Sequence, residues 1–255
     1  MVYLVGAGPG DAGLLTLRGA ELLQRADVVV YDALANPELL RHAPASAEFI
    51  SRGKNMEMPQ AEITATIIAK AKAGKMVVRL KGGDPSVFGR LEEELEALAQ
   101  AGIACEVVPG ITAAIAAAAA AQRPLTRRGT GRSVSFTTAM TRSGEVQATR
   151  SADTEVFYMA GKQLAALSRR LIEAGWPSDT PASVVSRAGW PDQLHSDHTV
   201  ATLARASLLH AGRPSVVTVG AGAKPLRSGG KAREREPSQA IQPHIPSVRV
   251  GSLNP

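Results

Sequence analysis

The chain has 255 residues, a formal net charge of +6, 44% hydrophobic and 4% aromatic residues, and one cysteine. That length suits one large or two modest domains, the lone Cys105 excludes an internal disulfide framework, and no apolar run approaches the roughly 20 residues that span a bilayer. Residues 226–255 hold five Arg/Lys and two Glu, hence +3, and the other +3 is spread over residues 1–225 without a long Lys/Arg cluster, which disfavours a nucleic-acid partner and suits an anionic small substrate.

The chain enters an apolar run at Val2 with no basic leader, so no signal peptide is expected, and the single cysteine fits a reducing, cytoplasmic setting. Strands are predicted at Val2–Val5, Val28–Tyr31, Glu48–Ile50, Met76–Lys81 and Ile103–Val108. Helices are expected near Thr16–Arg25, Glu38–His42, Pro59–Ala73 and Leu91–Ala101. Repeated βα alternation implies a mostly parallel sheet covered by helices. Pro109-Gly110 then breaks the pattern before the alanine-rich helix Thr112–Gln122, whose small side chains permit close approach by a neighbour.

Arg123–Arg132 reads as a linker to a second unit. Its strands are expected at Ser133–Thr138, Glu155–Met159, Ala182–Arg187, near Gln193–Val200 and at Ser215–Val219, with helices at Leu164–Ala174 and Leu203–His210. Short connections there allow antiparallel pairs. Beyond Gly222 hydrophobic periodicity ends, so residues 223–255 are expected to be a disordered tail. The expected division is therefore 1–122, 123–222 and a tail.

Val77-Val78-Arg79-Leu80-Lys81 runs straight into Gly82-Gly83-Asp84-Pro85. Two glycines at a strand's C-terminal end leave bare backbone where open α/β sheets bind ligands, although a plain tight turn has the same residues. No Gly-Lys-Ser/Thr follows, which excludes a Walker phosphate loop. The first strand ends in Gly6-Ala7-Gly8-Pro9-Gly10-Asp11; a dinucleotide fingerprint needs glycine where Asp11 stands, but Asp32 after the second strand keeps nicotinamide binding as a rival. Asp32 and Lys54 occupy loops at the same sheet edge. A carboxylate and an amine sharing a crevice can accept and donate protons, or simply form a solvent-facing ion pair. His195-Ser196-Asp197-His198 puts its histidines three apart on a strand and so on opposite faces, which makes exposed polar residues the expectation and not a metal site.

Together the segments VYLVGAGPGDAGLLTLRGAELLQRADVVVYD, MPQAEI, VVRLKGGDPSVFGR, VVPGITAA, PLTRRG, VFYMAG and AGWPSDTPA resemble the tetrapyrrole methylases from about Val2 to Gly222, most closely those acting on uroporphyrinogen III. The resemblance implies two α/β domains with S-adenosylmethionine bound in the cleft between them, usually in a homodimer. It implies cofactor contacts from Pro9, Gly82, Gly83, Asp84, Val87, Thr112, Ala113, Met159 and Ala188 or its neighbour Gly189, with S-adenosylhomocysteine as the spent form. It assigns proton acceptor to Asp32 and proton donor to Lys54. The tetrapyrrole's carboxylates would require cations at the cleft mouth, with Arg79, Lys81, Arg90, Arg127, Arg128 and Arg132 as candidates. The chain departs from the family pattern at Asn55 in place of arginine, at Leu91-Glu92 in place of Gly-Gly, and at Thr138-Ala139-Met140 in place of Thr-Gly-His. These departures fall on substrate-side loops, so a later corrin precursor or a non-catalytic cofactor-binding role stand as alternatives.

Overall fold

A computed structural model describes residues 1–51, 59–140 and 144–226. The first sheet comprises β1 (Val2–Gly6), β2 (Val28–Tyr31), β3 (Glu48–Ser51), β4 (Val77–Lys81) and β5 (Cys105–Val108), all parallel, in the order β3-β2-β4-β1-β5. Here β4 separates β2 from β1. The dinucleotide-binding order places β1 beside β2, so this topology weighs against the nicotinamide rival.

Parallel sheets are covered on both faces, and β4 has every residue buried. Val78 and Leu80 face a core with Val5, Val29, Leu22 and Leu23, the last two from α1 (Leu17–Leu23). Val77 faces the opposite core with Val2, Leu4 and Val28, under Ile63 and Ile67 of α2 (Gln60–Lys72) and Leu98 of α3 (Leu91–Gln100). Alternation along the strand places Arg79 and Lys81 on this second face, beneath α2 and α3. Cys105 is half-buried in β5.

The helix expected at Thr16–Arg25 is shorter, because Thr16 accepts the Gly19 N–H and caps it there. The segment Pro37–His42 coils as a 3-10 helix, and a further 3-10 turn at Ala12–Leu14 is capped by Asp11, which accepts the Gly13 N–H at 2.8 Å. Neither 3-10 feature has the apolar spacing of an α-helix.

From the end of β5, α4 (Ala113–Ala120) carries the chain to the second sheet. Ala114, Ala116 and Ala117 lie against Val156, Val185, Ala188 and Val216, an approach that larger side chains would prevent. That sheet contains β6 (Val134–Thr138), β7 (Thr154–Tyr158), β8 (Pro181–Ser186), β9 (Leu194–Thr199) and β10 (Ser215–Gly220), in the order β6-β7-β10-β8-β9. As the short connections suggested, β10 pairs antiparallel with β7 and β8, and β8 with β9; only β6–β7 is parallel. Its other face packs Phe157, Val184 and Val217 against α5 (Leu164–Glu173) and the 3-10 turn Leu203–Ala206, which continues into α6 (Ser207–His210). No helix among the described residues is long and apolar enough to cross a membrane.

His210 is fully buried, with its ring nitrogens 2.9 Å from the hydroxyls of Ser186 and Ser196. Burial is the main cause that lowers its pKa to about 4. A folded-state value below the unfolded 6.5 favours the neutral ring, so its stabilisation is complete above pH 6.5 and is lost as pH falls toward about 4. The full loss is about 3 kcal/mol. Urea unfolding at pH 7 and pH 4.5 is expected to show falling stability, with a smaller difference in His210→Gln. An undiminished difference in that variant would exclude His210 as the titrating group.

Candidate active site

Three loops meet at the C-terminal edge of the first sheet with almost no side chains between them. Gly8 and Gly83 form an antiparallel bridge, Gly8 N–H donating to Gly83 O at 3.1 Å and Gly83 N–H to Gly8 O at 2.8 Å. A Cβ on Gly6 would lie 2.6 Å from Gly110 Cα and 2.8 Å from Gly83 O. Asp84 ties the turn to the third loop, accepting the Gly110 N–H at 2.8 Å on one oxygen and the Ser86 N–H at 2.8 Å on the other. Gly83 itself has φ +71° and only Thr112 Cα, 3.8 Å away, near the place of a Cβ. Its glycine therefore supplies a left-handed turn bordered by open space.

The second unit closes this edge from above. Thr112, before the first residue of α4, has its hydroxyl 2.7 Å from the Tyr158 hydroxyl, which also accepts the Ala114 N–H at 3.2 Å. Burial is the largest influence on Tyr158 and raises its pKa, so the phenol stays protonated at neutral pH. Tyr158 lies 5.0 Å from the Phe88 ring and 6.0 Å from Phe136 between centroids. After β8, Trp190 donates its indole N–H to Pro9 O at 3.1 Å, and its ring fills the place of a side chain on Gly10. Phe88, Arg90, Met159 and Arg187 all hold φ between +50° and +59°. Left-handed backbone at non-glycine residues is strained and gathers where function constrains a loop.

On the opposite side of the Gly82 turn stands Asp32. Its Oδ1 accepts the Leu34 and Ala35 N–H groups at 3.0 and 3.2 Å, and its Oδ2 accepts the Gly82 N–H at 3.3 Å. Arg79 Nη2 is 3.6 Å from that same Oδ2. A Cβ on Gly82 would lie 2.6 Å from Leu34 Cβ and push this loop away. The sequence thus delivers one carboxylate to the rim of the glycine-lined crevice, held there by three backbone donors.

The family described as Tetrapyrrole (Corrin/Porphyrin) Methylases matches residues 1–204. This chain belongs to the tetrapyrrole methylases. It is 42% identical over 231 residues to a uroporphyrinogen-III C-methyltransferase of Synechocystis sp., covering 86% of this chain and 88% of that protein. It is 46% identical over 227 residues to a siroheme synthase of Sodalis glossinidius, with 86% and 48% covered, so the chain spans about half the length of that relative. Among solved structures, the uroporphyrin-III C-methyl transferase of Thermus thermophilus complexed with S-adenyl homocysteine superposes with a TM-score of 0.75 at 35% identity, over 86% and 96% of the two chains. A cobalt precorrin-4 methyltransferase gives 0.79 at 32%, over 88% and 96%.

In this tetrapyrrole methylase the contacts above bring Pro9, Gly82, Gly83, Asp84 and Thr112 together at one sheet edge, and Val87 N–H donates to Asp84 O at 3.2 Å; Ala113 opens α4 directly after Thr112, and Met159 directly follows Tyr158. Ala188 is buried at the adjoining corner, and a Cβ on Gly189 would lie 3.5 Å from Pro9 Cγ. Lys54 lies outside the described residues, as does Asn55. Two expectations need correction. Arg79 and Lys81 are not at the cleft mouth but 2% and 3% exposed, because both point beneath α2 and α3, where Glu94 pairs with them. Of the remaining cations, Arg90 is exposed and paired with Glu93, whereas Arg127 donates to the Lys224 carbonyl. His195 and His198 on β9 lie near Ser183 and Ser196, and no group of three or more His, Cys, Asp or Glu among the described residues is placed to hold a metal.

Sequence reasoning missed Tyr158, Trp190 and Glu94. The first two belong to VFYMAG and to the stretch after Ala188, where an aromatic beside small residues was the available signal. Glu94 carried none: within Leu-Glu-Glu-Glu-Leu-Glu it reads as one acid of a solvated helix face.

Proposed function

We propose that this chain methylates ring carbons of uroporphyrinogen III from S-adenosylmethionine, twice, giving precorrin-2 for sirohaem or cobalamin synthesis. The observation that carries the reading is the crevice of bare backbone at Gly82-Gly83, bounded by Pro9, Thr112 and Met159, with Asp32 on its rim. The 35% identical Thermus thermophilus structure with S-adenyl homocysteine supports the choice of methyl donor.

The residues fit that donor. The Gly83 turn leaves room where a side chain would stand, so a ligand can approach the main chain closely there. Bound there, S-adenosylmethionine supplies an activated methyl that an electron-rich ring carbon takes while sulfur keeps the electron pair of the broken bond. Asp32 accepts the proton that the ring then releases, and its backbone donors hold it in one rotamer. Lys54 is assigned the proton-donor role by likeness to the family. Asp84 fixes the floor of the crevice through Gly110, and Tyr158 holds the start of α4 against it. The reading includes a cytoplasmic homodimer, which sedimentation of the purified protein tests.

A second reading, methylation of a later corrin precursor, draws on the TM-score of 0.79 with the cobalt precorrin-4 methyltransferase. Calorimetry separates the donor from the nicotinamide rival: S-adenosylhomocysteine is expected to bind and NAD not to compete. Preferential binding of NAD would overturn the proposal.

A further inference from the structure

The buried charges behind the crevice are unequal. Arg79 and Lys81 on β4 contribute two cations, and Glu94 on α3, 1% exposed, is the acid between them. Its Oε2 is 2.5 Å from Lys81 Nζ, while its Oε1 is 3.3 Å from Arg79 Nε and accepts from Gln60 Nε2 at 3.0 Å. Buried ions require partners, and two cations against one anion leave an excess of one positive charge. The Arg79 guanidinium spends its Nη1 on the Leu80 carbonyl at 3.1 Å and reaches with Nη2 toward Asp32 Oδ2, stopping at 3.6 Å. That is beyond both the ~2.7–2.9 Å of a closed arginine–carboxylate pair and the 3.3 Å that Arg79 keeps to Glu94, so Asp32 has the looser hold.

Glu94 and Asp32 therefore compete for one guanidinium. We propose that Glu94 is a positioning residue that holds Arg79 back from Asp32, keeping the carboxylate at the crevice available as a base. Gln60, the first residue of α2, donates to the same carboxylate and helps fix it in place. Arg79 and Lys81 from β4 both act on Asp32, and Glu94 from α3 draws on the same two cations. This inference rests on the reading of Asp32 as proton acceptor.

Without the Glu94 charge, Arg79 has Asp32 as its nearest anion and closes on it. A closed pair favours the carboxylate and weakens it as a base. In the 255-residue chain, Glu94→Gln is expected to lower kcat for uroporphyrinogen III on the order of 10- to 100-fold, the scale of a misplaced catalytic group. The acid limb of the kcat/KM profile should move to lower pH, and affinity for S-adenosylhomocysteine should hold. Adding Arg79→Met to Glu94→Gln should return that limb upward. Should Glu94→Gln fail to fold, Glu94→Asp keeps the charge on a shorter arm and should shift the limb in the same direction by less. A fall in kcat with an unmoved acid limb, or a parallel loss of S-adenosylhomocysteine affinity, would reduce the network to a structural role and overturn the inference. Asp32→Asn distinguishes the layers: if it keeps full turnover, the acceptor reading itself fails; if it loses turnover while Glu94→Gln behaves as wild type, only this inference does.

Discussion

Asp32→Asn is expected to reduce turnover of uroporphyrinogen III by about 10²- to 10⁴-fold, the usual contribution of a positioned general base. Affinity for S-adenosylhomocysteine should stay nearly unchanged, because the two shorter hydrogen bonds that Asp32 accepts come from its own loop and only the longest comes from the glycine turn. Asparagine is the better probe than alanine. Its side-chain oxygen can still accept the Leu34 and Ala35 N–H groups, so the loop keeps its turn while the proton acceptor is removed. The one bond at risk is the 3.3 Å contact to the Gly82 N–H, the longest of the set. Comparing single-turnover methylation with calorimetric titration of S-adenosylhomocysteine checks both halves. A large loss of affinity would place the carboxylate inside the cofactor pocket.

The second large effect lies at Gly6, where adding one methyl group should weaken cofactor binding. In Gly6→Ala the new Cβ would overlap Gly110 Cα and Gly83 O, both backbone atoms that no rotamer change can move. Relief requires the ends of β1 and β4 to separate, which breaks the Gly8–Gly83 bridge and displaces the turn at Gly82-Gly83. Overpacking of this kind costs about 1–3 kcal/mol of stability. Affinity for S-adenosylhomocysteine should fall at least about ten-fold, corresponding to the loss of some 1.4 kcal/mol of binding. Gly74→Ala is the control. Its φ is +79° with nothing within 4 Å, so it has the backbone strain of roughly 1–2 kcal/mol without touching the crevice. Equal losses of affinity in the two variants would show that global destabilisation, and not the turn, is responsible.

Much of this architecture was legible because apolar runs and glycine turns are local signals. The five strands of the first sheet follow from their apolar runs, and the crevice follows from glycines stationed at strand ends. What stayed hidden was long-range. Arg79 and Lys81 alternate with Val78 and Leu80 as in a strand with one solvated face, and a basic side chain at a sheet edge reads as a substrate contact. The cover of α2 and α3 makes that face interior, and only the fold brings Glu94 to it from 13 and 15 residues away. The grip of Tyr158 on Thr112 spans 46 residues and that of Trp190 on Pro9 spans 181, so no spacing rule connects either pair. The cofactor side was readable because backbone demands glycine there; the substrate side depends on side chains assembled from distant segments.

The most direct test of the account is anaerobic incubation of the purified chain with uroporphyrinogen III and S-adenosylmethionine labelled in its methyl group, followed by product mass. Two labelled methyl groups on carbon are expected, with Asp32→Asn giving almost none. Absence of transfer by the wild-type chain, or transfer only to a later corrin precursor, would contradict it.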